Sequence, residues 1–129
     1  MKHMIMIALG GALGAMSRYS LGNWVNSLSV SKFPAGNIPY GTLAVNVIGS
    51  FFIGIMYVLI TEKLALHADW RNVIIVGFLG AFTTFATFSL ETITLMENGY
   101  VVESMIYVVG SLLVCFMAVW TAIYITRLI

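Results

Sequence analysis

Four long apolar runs separated by short polar stretches set the pattern of this chain. They extend from Met4 to Val25, Tyr40 to Ile60, Val73 to Met96 and Val101 to Leu128. Each is close to or above the ~20 residues an α-helix needs to cross the hydrocarbon of a bilayer. The pattern predicts an all-α membrane protein: a single transmembrane domain over residues 1–129, with helices at about 4–25, 40–60, 73–96 and 101–128. A Ser-rich stretch with Lys32, Pro34, Gly36 and Pro39 makes the first connection. Thr61 to Arg71, with Glu62, Lys63, His67 and Asp69, makes the second, and the Glu97-Asn98-Gly99 turn makes the third. These connections leave no room for a soluble domain. The N-terminal apolar run continues past Arg18, so it reads as a retained helix and not as a cleaved signal.

Composition sharpens that picture. The chain is 60% hydrophobic and 9% charged, against about 25% charged in an ordinary soluble domain. Its net charge of +1 offers no basic patch for nucleic acid. Lys2, Lys63, Arg71 and Arg127 fall on one side of the predicted spans. Lys32 falls on the other, with Arg18 leaning that way. The bias favours an N-terminus inside and does not by itself indicate insertion in both orientations. Trp24, Trp70 and Tyr100 read as interfacial anchors, and His3 and His67 as solvated residues. Cys115 is the sole cysteine, lies in an apolar run and reads as a small buried residue.

Polar groups within the spans carry the candidate chemistry, because hydrocarbon leaves them no water to bond. In the first helix, Gly10 and Gly14 have the small-xxx-small spacing of close helix packing. Arg18 there must pair, snorkel or line water; anchoring and anion attraction are equally compatible with its position. In the second, Asn46, Ser50 and Gly54 share one face. Asn46 reads either as an interhelical link or as an amide donor to an anion, with the link favoured when it is considered alone.

The third run, Gly77 to Glu91, pairs Gly77 and Gly80 with adjacent Thr83 and Thr84. That combination weakens helical continuity and predicts a break at mid-span, with freed backbone carbonyls. Beyond it, Thr84, Thr87 and Glu91 form a polar stripe beside Phe82, Phe85 and Phe88. In the fourth run, Ser104, Tyr107 and Ser111 make another narrow polar face, with Gly110 beside it for close packing. There is no nucleophile–base pair, metal-ligand cluster or phosphate loop, so an enzyme is not expected.

These residues resemble the Fluc (CrcB-type) family of bacterial fluoride channels. The likeness rests on Ser17-Arg18-Tyr19, on Gly41-Thr42-Leu43 with Val45-Asn46 and Gly49, on Thr83 to Ser89 with Glu91, and on Tyr107 with Gly110-Ser111. It spans nearly the whole chain in order. The resemblance implies an antiparallel, dual-topology homodimer in the bacterial cytoplasmic (inner) membrane. It also implies two fluoride pores per dimer and a central sodium ion that is structural and not transported. Carried over by position, the Gly80 and Thr83 carbonyls would hold that sodium. Asn46, Phe85, Phe88, Thr84, Thr87, Ser89, Tyr107 and Ser111 would line the fluoride pathway. Arg18 would stand near a vestibule, and Glu91 would close the third-helix motif. Ala86 departs from the pattern, since many relatives carry serine there.

The physical logic is consistent. Fluoride is small and strongly hydrated, so hydroxyls, amide N–H groups and positive ring edges must replace its water. A buried cation offsets the cost of a negative charge in low dielectric. One competing reading is a proton-coupled small multidrug exporter, which would want an acid in the first helix; here that helix has Arg18 and no acid. Another is a non-transporting scaffold, which the small-residue faces alone would allow.

Overall fold

A computed structural model describes residues 1–32, 37–64 and 68–129 of the chain. Pro34, Gly36, His67 and the side chain of Lys32 lie outside the described residues. Helix α1 covers Lys2–Lys32. Helix α2 covers Tyr40–Tyr57 and continues as a π-helical stretch, Val58–Lys63. Helix α3, Ala68–Arg71, runs into a π-helical stretch at Asn72–Leu79 and then into the short α4, Gly80–Phe82. Helices α5, Phe85–Glu97, and α6, Val101–Leu128, complete the chain. Among the described residues, four helical spans are long and apolar enough to cross a bilayer: Lys2–Ser29, Tyr40–Lys63, Asp69–Glu97 and Val101–Leu128.

The helices run further than the apolar runs, and their polar ends are hydrogen-bonded within the helix or across the fold. Helix α1 passes Val25 since Ser27 and Ser29 donate to the carbonyls of Trp24 and Val25 at 2.7 and 2.9 Å. Asn26 then accepts the backbone N–H of Gly41 at 2.8 Å, tying α1 to the start of α2. The second span continues to Lys63, where the Arg127 guanidinium donates to both oxygens of Glu62 at 2.9 and 2.6 Å. The third span starts at Ala68, and Lys2 donates to the Asp69 carboxylate at 2.7 Å. His3 is solvent-exposed, as expected, and its Nδ1 also lies 3.0 Å from Asp69 and 3.2 Å from Asn72 Nδ2. A short carboxylate at the head of the third span recruits it.

Small residues decide which spans touch. A methyl group at Gly10 would collide with the carbonyl of Val73, and one at Gly14 with the carbonyl of Phe78. The α1 backbone therefore lies directly against the π-helical part of the third span, as the small-xxx-small spacing implies. Gly54 brings α2 equally close to α6 beside Val119 and Ala122. Gly110 corrects one expectation, since nothing lies within 4 Å of a Cβ built there and it mediates no close packing within the chain. Phe88, Leu95 and Tyr107 form a compact buried cluster between α5 and α6. Many large apolar side chains, including Phe85, Phe116 and Trp120, stay exposed, as a surface solvated by lipid or by another chain requires.

Candidate functional site: a polar track at the break in the third span

The third span is interrupted where its sequence weakens. Thr83 (φ −80°, ψ 158°) and Thr84 (φ −148°, ψ 116°) are both extended, and α5 restarts at Phe85. Extended residues inside a span strand backbone groups that hydrocarbon does not satisfy. Asn46 meets that need. Its Oδ1 accepts the Thr84 N–H at 2.8 Å, and its Nδ2 donates to the Thr84 carbonyl at 3.1 Å. The Thr84 side chain then caps α5, accepting from the Thr87 N–H at 3.2 Å and donating to Thr87 Oγ1 at 2.9 Å.

These captures take from two carbonyls the donors that a continuous helix would give them. In an unbroken helix the Gly80 carbonyl would receive the Thr84 N–H, and the Thr83 carbonyl the Thr87 N–H. Asn46 holds the first donor and Thr84 Oγ1 the second. The N–H of Thr83 goes to Leu79, as does its hydroxyl, both at 3.1 Å. Gly80 is exposed on the surface of the chain. Hard main-chain oxygens of this kind suit an alkali cation. No group of three or more His, Cys, Asp or Glu side chains able to hold a metal occurs among the described residues.

Two cavities border the break and a third lies further along α5. The first, about 250 Å³, lies between α2, the break and α6, lined by Asn46, Ser50, Thr84, Phe85, Phe88 and Ser111 among others. The second, about 230 Å³, is lined by Arg18, Asn26, Thr42, Thr84, Thr87 and Glu91 among others. The third, about 330 Å³, contains Glu91, Asn37, Asn98 and Tyr100. Thr84 belongs to the first and second cavities, and Glu91 to the second and third. Each of the two residues thus borders neighbouring cavities, and the polar groups they link form the candidate track. Glu91 is held from two spans: Thr42 donates to Oε1 at 2.8 Å and Tyr107 to Oε2 at 2.9 Å.

The sequence-selected residues do not all converge. Asn46, Thr84, Phe85, Phe88 and Ser111 share the first cavity. Arg18, Thr84, Thr87 and Glu91 share the second. Tyr107, only 2% exposed, packs against Phe88 with ring centroids 5.1 Å apart and reaches the track through Glu91. Phe85 and Phe88 lie 5.6 Å apart, yet Phe88 is 7% exposed and Phe85 74%. Ser89 lines none of these three cavities; its hydroxyl donates to the Phe85 carbonyl at 2.9 Å. Phe82 is buried and stacks on Phe78 away from the aromatic pair. Sequence reading passed over Thr42 as a partner for Glu91, and Asn26 in the second cavity. Asn26 was recoverable only by extending the first helix past Val25.

Spans of this length, one of them broken beside cavities with polar groups in their walls, define a polytopic membrane protein. Comparison with known proteins says to which family it belongs. The model of the family described as "CrcB-like protein, Camphor Resistance (CrcB)" matches residues 5–123. A Hahella chejuensis protein named "Fluoride-specific ion channel FluC" is 46% identical over 127 residues, covering 98% of this chain and 96% of the relative. Proteins of the same name from Saccharophagus degradans and Magnetococcus marinus are 46% and 42% identical, each over 95% of this chain and over 88% and 96% of their own length. The chain belongs to the CrcB-like, or FluC, family, and the resemblance drawn from its motifs is borne out.

Proposed function

We propose that this chain forms a fluoride-selective channel giving passive fluoride efflux across the bacterial cytoplasmic membrane. The observation that carries the reading is the polar track joined at Thr84 and Glu91, in a chain whose relatives are named fluoride-specific ion channels. Its donors suit a small hard anion: the hydroxyls of Thr87 and Ser111, with Thr84 orienting Thr87 by donating to its Oγ1, the second N–H of the Asn46 amide, and ring edges of Phe85 and Phe88. Arg18 in the second cavity supplies a positive potential that draws anions in. Narrowness rejects chloride, which is larger and gains less from closely spaced donors. The first span has Arg18 and no acid, which disfavours proton-coupled export.

The channel is an antiparallel homodimer with two pores. Exposed Phe85 and Gly80 leave this side of the track incomplete in one chain, and a second copy in the opposite orientation completes it. The Gly80 and Thr83 carbonyls, stripped of their helical donors, fit a sodium ion shared between the chains. Bound there, sodium supplies a fixed positive charge and holds the breaks together.

Purified protein in liposomes, assayed with a fluoride electrode, tests the reading. Sodium-containing vesicles should release fluoride and retain chloride. Vesicles that keep their fluoride, or lose both halides equally, would falsify it.

A further inference from the structure

Cys115 lines the first cavity and is left unused by the pore assignment. Ser111 and Cys115 stand one turn apart on α6, facing Asn46 and Ser50 of α2 across the same space. Ser111 is 6% exposed, and its Oγ has no hydrogen-bond partner. A buried hydroxyl without a partner costs about 1–3 kcal/mol, which favours an occupant able to hydrogen-bond to it. Water or an anion does so; lipid does not. Cys115 is only part-buried and lines that same space, so it is not the inert core thiol its apolar run implies.

We propose that Cys115 is a modification site in the wall of the conduction track, taking small neutral sulfur electrophiles, and that capping it closes the track. The inference rests on the fluoride reading above. The S–H of Cys115 is a weak donor one turn beyond Ser111. A methylthio cap removes that donor and adds apolar bulk to a cavity of about 250 Å³. The reaction is thiol–disulfide chemistry: the thiol gives its proton to water, and the thiolate sulfur attacks the sulfenyl sulfur of methyl methanethiosulfonate. A new S–S bond forms, the bond to the sulfonyl sulfur breaks, and methanesulfinate leaves with the electron pair.

The test treats the folded protein in proteoliposomes with methyl methanethiosulfonate, reading intact mass and fluoride flux on the same sample. The expected result is one methylthio group per chain and a flux reduced at least about tenfold, both reversed by dithiothreitol. Cys115→Ser should gain no mass, and its flux, whatever its starting level, should not change on treatment. Failure of the folded protein to take the label overturns the proposal. So does complete labelling with unchanged flux, or inhibition that survives Cys115→Ser. Untreated protein that passes no fluoride defeats the fluoride reading and the closure claim with it, while the mass still reports whether the thiol is reachable in the folded protein.

Discussion

Asn46 and Thr84 form a two-point backbone clamp: one side-chain amide accepts the N–H and donates to the carbonyl of the same residue, at 2.8 and 3.1 Å. The amide thereby imitates a strand neighbour for an extended residue at the break in a membrane span. This makes Asn46 structural before it is anything else, and it leaves only its second N–H for the track. Asn46→Ala should therefore lower stability by about 1–3 kcal/mol, since the Thr84 carbonyl loses its partner and the Thr84 N–H has to find another, and should abolish fluoride flux. Asn46→Asp keeps the acceptor for Thr84 N–H but sets a carboxylate oxygen against the Thr84 carbonyl, so it should behave like alanine. Thermal unfolding in detergent, run beside the flux assay, checks both; an Asn46→Ala protein of full stability would remove the clamp from the argument.

Phe85 and Phe88 are neighbours in the aromatic pair but differ in what they support. Phe88 is buried against Tyr107 and Leu95, so Phe88→Ala should destabilise the protein by on the order of 3 kcal/mol. Phe85 is 74% exposed in the single chain, so Phe85→Ala should leave chain folding nearly intact. Both should cut flux, Phe85→Ala through the track alone. Melting temperature separates the two, and equal destabilisation would contradict the placement.

Glu91 draws hydrogen bonds from α2 and α6 through Thr42 and Tyr107. The two donors share one acceptor, so their deletions should not be additive. Thr42→Val and Tyr107→Phe, singly and together, should show a coupling on the order of 1 kcal/mol in unfolding free energy. Strict additivity would mean that the carboxylate does not join these helices.

Much of this architecture was legible because membrane spans are written in long apolar runs, and because hydrocarbon makes every interior polar residue informative. The break announced itself through Gly80, Thr83 and Thr84. The clamp did not, since nothing local to Asn46 says that its partner is a backbone residue nearly forty positions away. Helix ends were misjudged for a related reason. Asn26, Ser29, Glu62 and Asp69 look like loop residues, yet each bonds to a helix, or to a partner across the fold, that sequence order hides. The π-helical stretches left no trace in apolar periodicity. Ser89 shares the third-span motif, but the helix turns it back onto the Phe85 carbonyl.

Glycine positions with the same sequence signal should respond differently. Gly14→Ala puts a methyl group into the carbonyl of Phe78, a backbone atom that cannot swing aside, so folded yield should fall sharply. Gly110→Ala meets open space and should shift the stability of the chain by less than about 0.5 kcal/mol. Expression and melting temperature of the pair check this. A well-folded Gly14→Ala protein would mean that α1 does not lie against the third span as described.

The released carbonyls make sodium dependence a sharp test of the break. A ligand that binds only the folded state stabilises it by about 2.7 kcal/mol when present at a hundred times its dissociation constant. Replacing sodium by choline should therefore lower the melting temperature of the wild-type protein. Thr84→Val should blunt that response, because the Thr87 N–H loses Thr84 Oγ1 and returns to the Thr83 carbonyl, withdrawing it from the cation. Asn46→Ala should do the same for Gly80 through the Thr84 N–H. Both variants would then be less stable in sodium yet nearly indifferent to its removal, a combination that simple loss of packing does not produce. A wild-type protein equally stable in choline would show that these oxygens hold no cation, whatever the family likeness implies.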